Sequence, residues 1–263
     1  MKIIVCAKQV PDTNEVRINK ETGTLIRDGV PSIINPDDKN AIEEALRIKD
    51  SRDDVHVTVL SMGPPQAADA LREALAMGAD EAILLGDRAF AGSDTWATAT
   101  ILSAALRKIG DYDLIFCGRQ AIDGDTAQVG PEIAEFLDLP QITYAKKIQV
   151  TEDGVLVERA TEDGHYEISC PLPVLLTTIK ELNTPRYPRM RRIYEAYSPD
   201  APIRFWSMAD IDVDATQIGV KNSPTNVHKS FVPVKEFHGE KFTGTPGELA
   251  AVFMDEMKKE NLV

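Results

Sequence analysis

The residues of this 263-residue chain best suited to hold a ligand fall in one run, Phe116–Pro131, reading Phe-Cys-Gly-Arg-Gln-Ala-Ile-Asp-Gly-Asp-Thr-Ala-Gln-Val-Gly-Pro. An apolar segment, Leu114–Cys117, leads into it, and an amphipathic helical pattern, Val129–Asp138, leads out. A strand that turns directly into a helix leaves backbone N–H groups unpaired and aimed at one spot, which suits an anion. Gly124 and the small Ala121 let the backbone approach a pyrophosphate. Thr126 and Gln128 can hydrogen-bond phosphate oxygens or a ribose, and Val129 and Gly130 lead the helix N-terminus toward the charge. Asp123 and Asp125 would repel a phosphate, so ribose hydroxyls, backbone N–H groups or the loop's own turns are their expected partners. Arg119 and Lys8 are candidate cations by position. Taken alone, the run fits either a nucleotide site or an ordinary turn, and does not separate ATP, NAD, AMP and FAD.

Other chemistries find little footing. His56, His165, His228 and His238 show no HExxH or paired metal-ligand spacing. Cys6, Cys117 and Cys170 form neither a CxxC motif nor an even disulfide set, which fits a reducing, cytoplasmic setting. No G-x-S-x-G, Walker A or G-x-G-x-x-G motif is present. No catalytic side chain is therefore expected, and any redox chemistry must come from a bound ligand. The formal net charge of −13 argues against nucleic acid and against an anionic membrane surface. The sequence has no apolar run of transmembrane length, and its start resembles a buried strand more than a signal peptide.

The elements that must position the loop follow from periodicity. Lys2–Ala7, Val55–Met62, Ala82–Gly86 and Leu114–Cys117 read as strands of a parallel sheet, with Ala67–Met77 and Thr95–Ile109 as helices between them. Residues 16–30 read as an inserted hairpin. A helix opens at Asn35-Pro36, with Asn35 as N-cap, Pro36 at the first position, and Asp37 and Asp38 in the first turn. The alternation predicts an α/β fold: a Rossmann-like, doubly wound, mostly parallel sheet, with ligands beyond the strand C-terminal ends. Asp-Gly turns after Ile142–Val150 and Val155–Ala160 predict an added β-hairpin with His165–Ser169, and Val174–Thr178 returns to the main sheet. Beyond it Leu182–Arg192 reads as a proline-punctuated, arginine-rich loop. The expected division is 1–197 as a nucleotide-binding α/β domain and 198–263 as an extended C-terminal arm ending in a helix, Pro246–Lys259, and lying on another subunit.

Several strings together resemble the β subunit of electron-transferring flavoproteins. They are Val5-Cys-Ala-Lys-Gln-Val-Pro-Asp, Asn35-Pro, Ala74-Leu-Ala-Met-Gly-Ala-Asp, Gly118-Arg-Gln-Ala-Ile-Asp-Gly-Asp-Thr-Ala-Gln-Val-Gly, Val157-Glu-Arg with Glu167 and Pro171-Leu-Pro-Val-Leu-Leu-Thr-Thr, and Leu182-Asn-Thr-Pro-Arg-Tyr. They occur in family order and span nearly the whole chain. The resemblance implies a Rossmann-like domain whose arm embraces a larger α subunit. It also implies an adenine-nucleotide site formed by Ala7, Asn35, Pro36, Asp37, Asp38 and Met62 with the loop residues Gln120, Ala121, Ile122, Asp123, Gly124, Asp125, Thr126, Ala127, Gln128, Val129, Gly130 and Pro131, to which Arg119 is added from its position alone.

In such families the ligand is either a structural AMP or, in electron-bifurcating members, an FAD. The bifurcating type takes a hydride from NADH and divides the electrons between ferredoxin or flavodoxin and the α-subunit FAD. Ile122-Asp-Gly-Asp-Thr-Ala-Gln-Val-Gly and Asn222-Ser-Pro-Thr-Asn-Val-His-Lys-Ser-Phe resemble the bifurcating form, so FAD is the expected ligand, with AMP and a non-bifurcating carrier as the alternative. The same resemblance implies an acyl-CoA or other flavin dehydrogenase as partner, docking at Arg189, Met190, Arg191 and Arg192. Methionine stands at 190 where relatives typically carry leucine, a departure that leaves open which dehydrogenase is served.

Overall fold

The computed structural model describes residues 1–12, 31–225 and 239–263, and the backbone of 17–18 and 25–26. The chain divides into two compact units, Met1–His228 and Lys229–Val263. The first begins with β1 (Lys2–Cys6), β2 (Gln9–Pro11), β3 (Arg17–Ile18), β4 (Leu25–Ile26) and β5 (Ser32–Ile34). The α1 (Pro36–Asp50), β6 (His56–Met62), α2 (Ala68–Met77), β7 (Glu81–Leu85), α3 (Thr95–Ile109), β8 (Leu114–Gly118) and α4 (Val129–Phe136) elements follow. Next come β9 (Gln141–Val150), β10 (Val155–Thr161), β11 (Gly164–Cys170), β12 (Val174–Thr178), α5 (Met190–Ala196) and β13 (Ile203–Trp206). The second unit contains α6 (Pro246–Lys259), begun by a capping box between Thr245 and Glu248.

The strand order of the main sheet is β11-β10-β9-β12-β8-β1-β6-β7-β13. From β9 to β13 every pairing is parallel, and β10 and β11 add antiparallel strands at one edge. The chain runs outward from β1 through β6 to β7, then returns to the other side of β1 as β8. That reversal leaves a crevice beyond the C-terminal ends of β1 and β8, the usual ligand position in an open α/β sheet.

Alternation along β1 builds both faces. Ile3 and Val5 join α1 and α2 in one apolar layer, while Ile4 and Cys6 join α3 and α4 in the other. Strands covered on both sides read as continuous apolar runs, which is why β1 and β8 were recognisable from sequence. Arg17–Ile18 and Leu25–Ile26 pair antiparallel, as the inserted hairpin requires, and its turn lies outside the described residues. Among the described residues no helix is long and apolar enough to cross a membrane.

Three segments differ from their expected form. Ile203–Trp206, within the stretch read as an arm, pairs in parallel with β7 as the edge strand of the sheet. Its four residues are too few to show periodicity. Met190-Arg-Arg, read as loop, opens α5, whose first turn follows the prolines at 185 and 188. Within β9, Tyr144 takes a φ of 57° inside the register shift against β12, two residues before the one against β10. A left-handed conformation costs an L-residue about 1–2 kcal/mol, partly offset here by the Tyr144 N–H donating to Thr177 Oγ1 at 3.1 Å.

Candidate functional site

A cavity of about 370 Å³ opens at the C-terminal ends of β1, β6 and β8. Cys6, Leu60 and Cys117 supply its floor, and Ala7 and Met62 stand where their strands end. Cys6 and Cys117 are directly opposite in register; the hydrogen bond between their thiols and burial push the Cys117 thiol well up, keeping it protonated and unreactive. From the expected loop, Arg119, Gln120, Ala121, Gly124, Thr126, Ala127, Gln128, Val129 and Gly130 reach the wall. The N-terminus of α4 meets the cavity without a side-chain cap from Gln128. The N–H groups of Val129 and Gly130 have no partner within the helix, and Pro131 has no N–H to satisfy. A cavity of this volume, with an uncapped helix N-terminus and hydroxyl and amide side chains in its wall, can hold the phosphate of a nucleotide.

The residues at the start of α1 stand where expected along the helix, but of them only Asp38 lines the cavity. Asn35 is fully buried, but its side chain makes no cap hydrogen bond. Instead Nδ2 donates to the Gln120 carbonyl at 2.8 Å, and Oδ1 accepts from the Ile122 N–H at 3.1 Å. Asn35 does stand at the N-cap, its carbonyl accepting the first helical bond from the Lys39 N–H at 2.9 Å, but its side chain is taken up by the loop: a buried amide with two loop partners is better satisfied than one turned to its own helix. Pro36 at the first position has no N–H in need of a cap.

Asp38, in the same turn, ties two strand ends together. Oδ2 accepts from the Lys8 N–H at 2.8 Å and Oδ1 from the Gly118 N–H at 2.9 Å. Burial pushes its carboxyl up from 3.8 to about 7 against the opposing pull of these N–H groups. Only glycine fits at 118, since a Cβ there would lie 2.2 Å from Asp38 Oδ1 and 2.6 Å from its backbone nitrogen. Asp37 contributes its carbonyl to the Thr178 hydroxyl at 2.9 Å, and its carboxylate lies 3.4 Å from Arg119 Nε. Asp38 borders the cavity; Asn35 and Asp37 brace the loop, and neither they nor Pro36 line the cavity.

The acidic residues of the loop are used internally. Asp123 holds Lys8 Nζ at 2.7 and 2.9 Å, so Lys8 borders the cavity with its charge already matched. Asp125, at a φ of 50°, accepts from Gln120 Nε2 at 2.8 Å. Neither aspartate lines the cavity, nor does Ile122. Gly124 does, and a Cβ built on it meets nothing within 4 Å. Among the described residues no group of three or more His, Cys, Asp or Glu is arranged to hold a metal ion.

Sequence reasoning missed the wall opposite the loop. Ser93, Asp94, Thr95 and Thr98, at the start of α3, line the cavity. Asp94 caps α3 through the Ala97 N–H at 3.0 Å and also accepts from the Thr225 N–H and hydroxyl at 2.9 and 2.8 Å. Thr95 Oγ1 stands 3.2 Å from both Gln128 Oε1 and Glu132 Oε1, linking the two helix starts. The signal was present: a capped helix that follows a parallel strand starts at the same sheet edge as the loop.

The arginine-rich segment lies elsewhere in this unit. Arg186 forks onto the buried Glu43 at 2.8 and 3.1 Å and reaches Asp50 at 2.8 Å, clamping the segment to α1. The Arg189 N–H donates to the Ala76 carbonyl at 3.2 Å, and Arg192 points its Nη1 toward the Leu75 and Ala79 carbonyls at the end of α2. Met190 stays 71% exposed, and Arg191, paired with Glu195, is exposed too.

Comparison with known proteins adds an independent line. The model of the electron transfer flavoprotein domain matches residues 22–201. The chain is 56% identical over 263 residues to the electron transfer flavoprotein subunit beta of Thermoanaerobacterium thermosaccharolyticum, covering all of both chains. It is 51% identical over 264 residues to the caffeyl-CoA reductase-Etf complex subunit CarD of Acetobacterium woodii, again over the whole of both. The acryloyl-CoA reductase electron transfer subunit gamma of Anaerotignum propionicum is 47% identical over 271 residues, with full coverage.

Proposed function

We propose that this chain, which belongs to the electron transfer flavoprotein family as a β subunit, holds FAD in the cavity at the β1/β8 crevice and serves electron bifurcation. The observation that carries this reading is the open space beside Gly124. A loop whose N–H groups suit a phosphate, and which leaves room next to them, accommodates a dinucleotide extending past its pyrophosphate. Bound there, FAD supplies hydride acceptance from NADH and one-electron delivery to ferredoxin or flavodoxin and to the FAD of an α subunit. The chain itself binds and orients. Ala7 and Met62 border the ligand from the strand ends, Thr126, Gln128 and the N-terminus of α4 take its phosphates, and Asn35 and Asp38 keep the loop in place. Buried Cys6 and Cys117, the latter with its thiol held protonated, give the floor an apolar character.

The α subunit and a flavin dehydrogenase are the proposed partners. Two relatives carry names of CoA-ester reductase complexes, caffeyl-CoA and acryloyl-CoA, so a dehydrogenase acting on a CoA thioester is the favoured class. Met190, with Arg189, Arg191 and Arg192 about it, is proposed as its docking element, in a cytoplasmic setting. A second reading has AMP in the cavity as a structural ligand, which the volume of about 370 Å³ also favours. Nucleotide extraction from the purified α/β heterodimer decides: two FAD per heterodimer is the expected result, and one FAD with one AMP overturns the proposal.

A further inference from the structure

Tyr144 holds an aromatic side chain in the left-handed region in the middle of a ten-residue strand. On one side the ladder jumps from Lys147 opposite Glu158 to Ala145 opposite Arg159. On the other it jumps from Ile142 opposite Leu176 to Ala145 opposite Thr178. Tyr144 lies inside the second jump, and the first skips Lys146 two residues on; a conformation this unfavourable raises the question of what it places. What it places is a ring beside two guanidinium groups. Arg119 Cζ is 5.9 Å and Arg159 Cζ 5.7 Å from the Tyr144 centroid, within cation–π range. Arg159 is steadied by Nε donating to Thr143 Oγ1 at 3.2 Å, and the Arg119 backbone by its N–H donating to the Thr178 carbonyl at 2.8 Å.

Two like charges on one ring repel, and of the two only Arg119 has, among the described residues, a carboxylate at ion-pair distance, Asp37 at 3.4 Å. The Arg159 hydrogen bond goes to a neutral hydroxyl. Arg119 Nε is buried and makes no hydrogen bond, since the Asp37 carboxylate at 3.4 Å lies outside hydrogen-bonding geometry. Lys8, by contrast, is held on both oxygens of Asp123. Arg119 lines the cavity, and its planar fork matches a phosphate. We infer that Tyr144 and Arg159 are positioning residues that hold the Arg119 guanidinium at the cavity wall to take an anionic group of the ligand, resting on the reading of the cavity as an adenine-nucleotide site.

The test uses the α/β heterodimer depleted of its nucleotides, with AMP and adenosine titrated by calorimetry. Tyr144→Gly removes the ring and relaxes the backbone, so the melting temperature holds or rises. AMP binding weakens by about three- to thirtyfold while adenosine binding is unchanged. Tyr144→Phe, which keeps the ring, behaves as the parent. Arg119→Gln weakens AMP binding to a similar degree, and adding Tyr144→Gly to it has little further effect. Unchanged AMP affinity in Tyr144→Gly overturns the inference, as does an equal loss for AMP and adenosine, which marks a merely structural role. Full additivity of the two substitutions overturns it as well. Failure of the parent heterodimer to bind AMP overturns the nucleotide reading itself, whereas normal AMP binding in every variant sinks only the role given to Tyr144 and Arg159.

Discussion

Replacing Asp38 by asparagine isolates the group that ties the ends of β1 and β8 together beside the cavity. Its carboxyl is 7% exposed and titrates near 7 instead of 3.8. Moving the carboxyl from 3.8 to about 7 corresponds to roughly 4 kcal/mol between the two protonation states. Because the folded pKa is raised, the contribution to stability is fully present below 3.8 and is lost as pH rises through 7. Between about pH 5 and 8 the parent should therefore lose roughly 2–3 kcal/mol that the asparagine variant does not lose. The variant has its own cost: the amide puts an N–H against one of the two backbone donors, the Lys8 or the Gly118 N–H. That mismatch is worth about 1–3 kcal/mol at any pH in this range. Asp38→Asn should thus be the less stable protein at pH 5 and should draw level with or pass the parent by pH 8. Equilibrium urea unfolding of nucleotide-free protein across this range gives the comparison. Parallel stability profiles for the two proteins would refute the reasoning, because they would mean that the Asp38 carboxyl titrates alike folded and unfolded.

Gly118→Ala drives a Cβ onto Asp38 and should cost about 1–3 kcal/mol or more, seen as a lower melting temperature; a neutral outcome would show that the turn yields easily. Asn35→Ala leaves the Gln120 carbonyl and the Ile122 N–H unpaired, at about 1–3 kcal/mol each, and should also weaken nucleotide binding in a direct titration. Gly124→Leu extends into open space, so its melting temperature should match the parent while flavin content falls from two to one per heterodimer; loss of both flavins, or of neither, would count against the placement. Arg186→Leu strands the buried Glu43 and should destabilise by about 3–5 kcal/mol. The same change should slow electron transfer to the partner dehydrogenase through the loosened Met190 segment while leaving nucleotide content intact.

Local order carried much of the fold into the sequence. β1 and β8 are apolar runs because both their faces are covered, and α3 and α6 are periodic and begin at recognisable caps. The Phe116–Pro131 loop was conspicuous because its small residues, its strand and its helix are contiguous in the chain. β13 was not recognisable, since four residues show no period and its place depends on β7, which lies far upstream. The aspartates of the loop illustrate the same limit. Repulsion excluded them from a phosphate, but only the fold shows that Asp123 meets Lys8, 115 positions away.

What the amino-acid sequence determined by itself is therefore the alternation of strands and helices, the strand-to-helix loop rich in unpaired N–H groups, and the lack of a motif for catalysis by side chains. These depend on periodicity, turn chemistry and residue type within a few positions of one another. Only the tertiary structure decided that β8 returns beside β1 to open the crevice, and that α3 supplies its second wall. It also decided that the Asn35 side chain grips the loop from its N-cap position, and that Tyr144 takes a left-handed conformation within its strand beside Arg119 and Arg159. Each of these is a contact between segments distant in the chain. Packing and hydrogen-bond satisfaction across such distances override local preference, and that override is legible only once the segments are brought together.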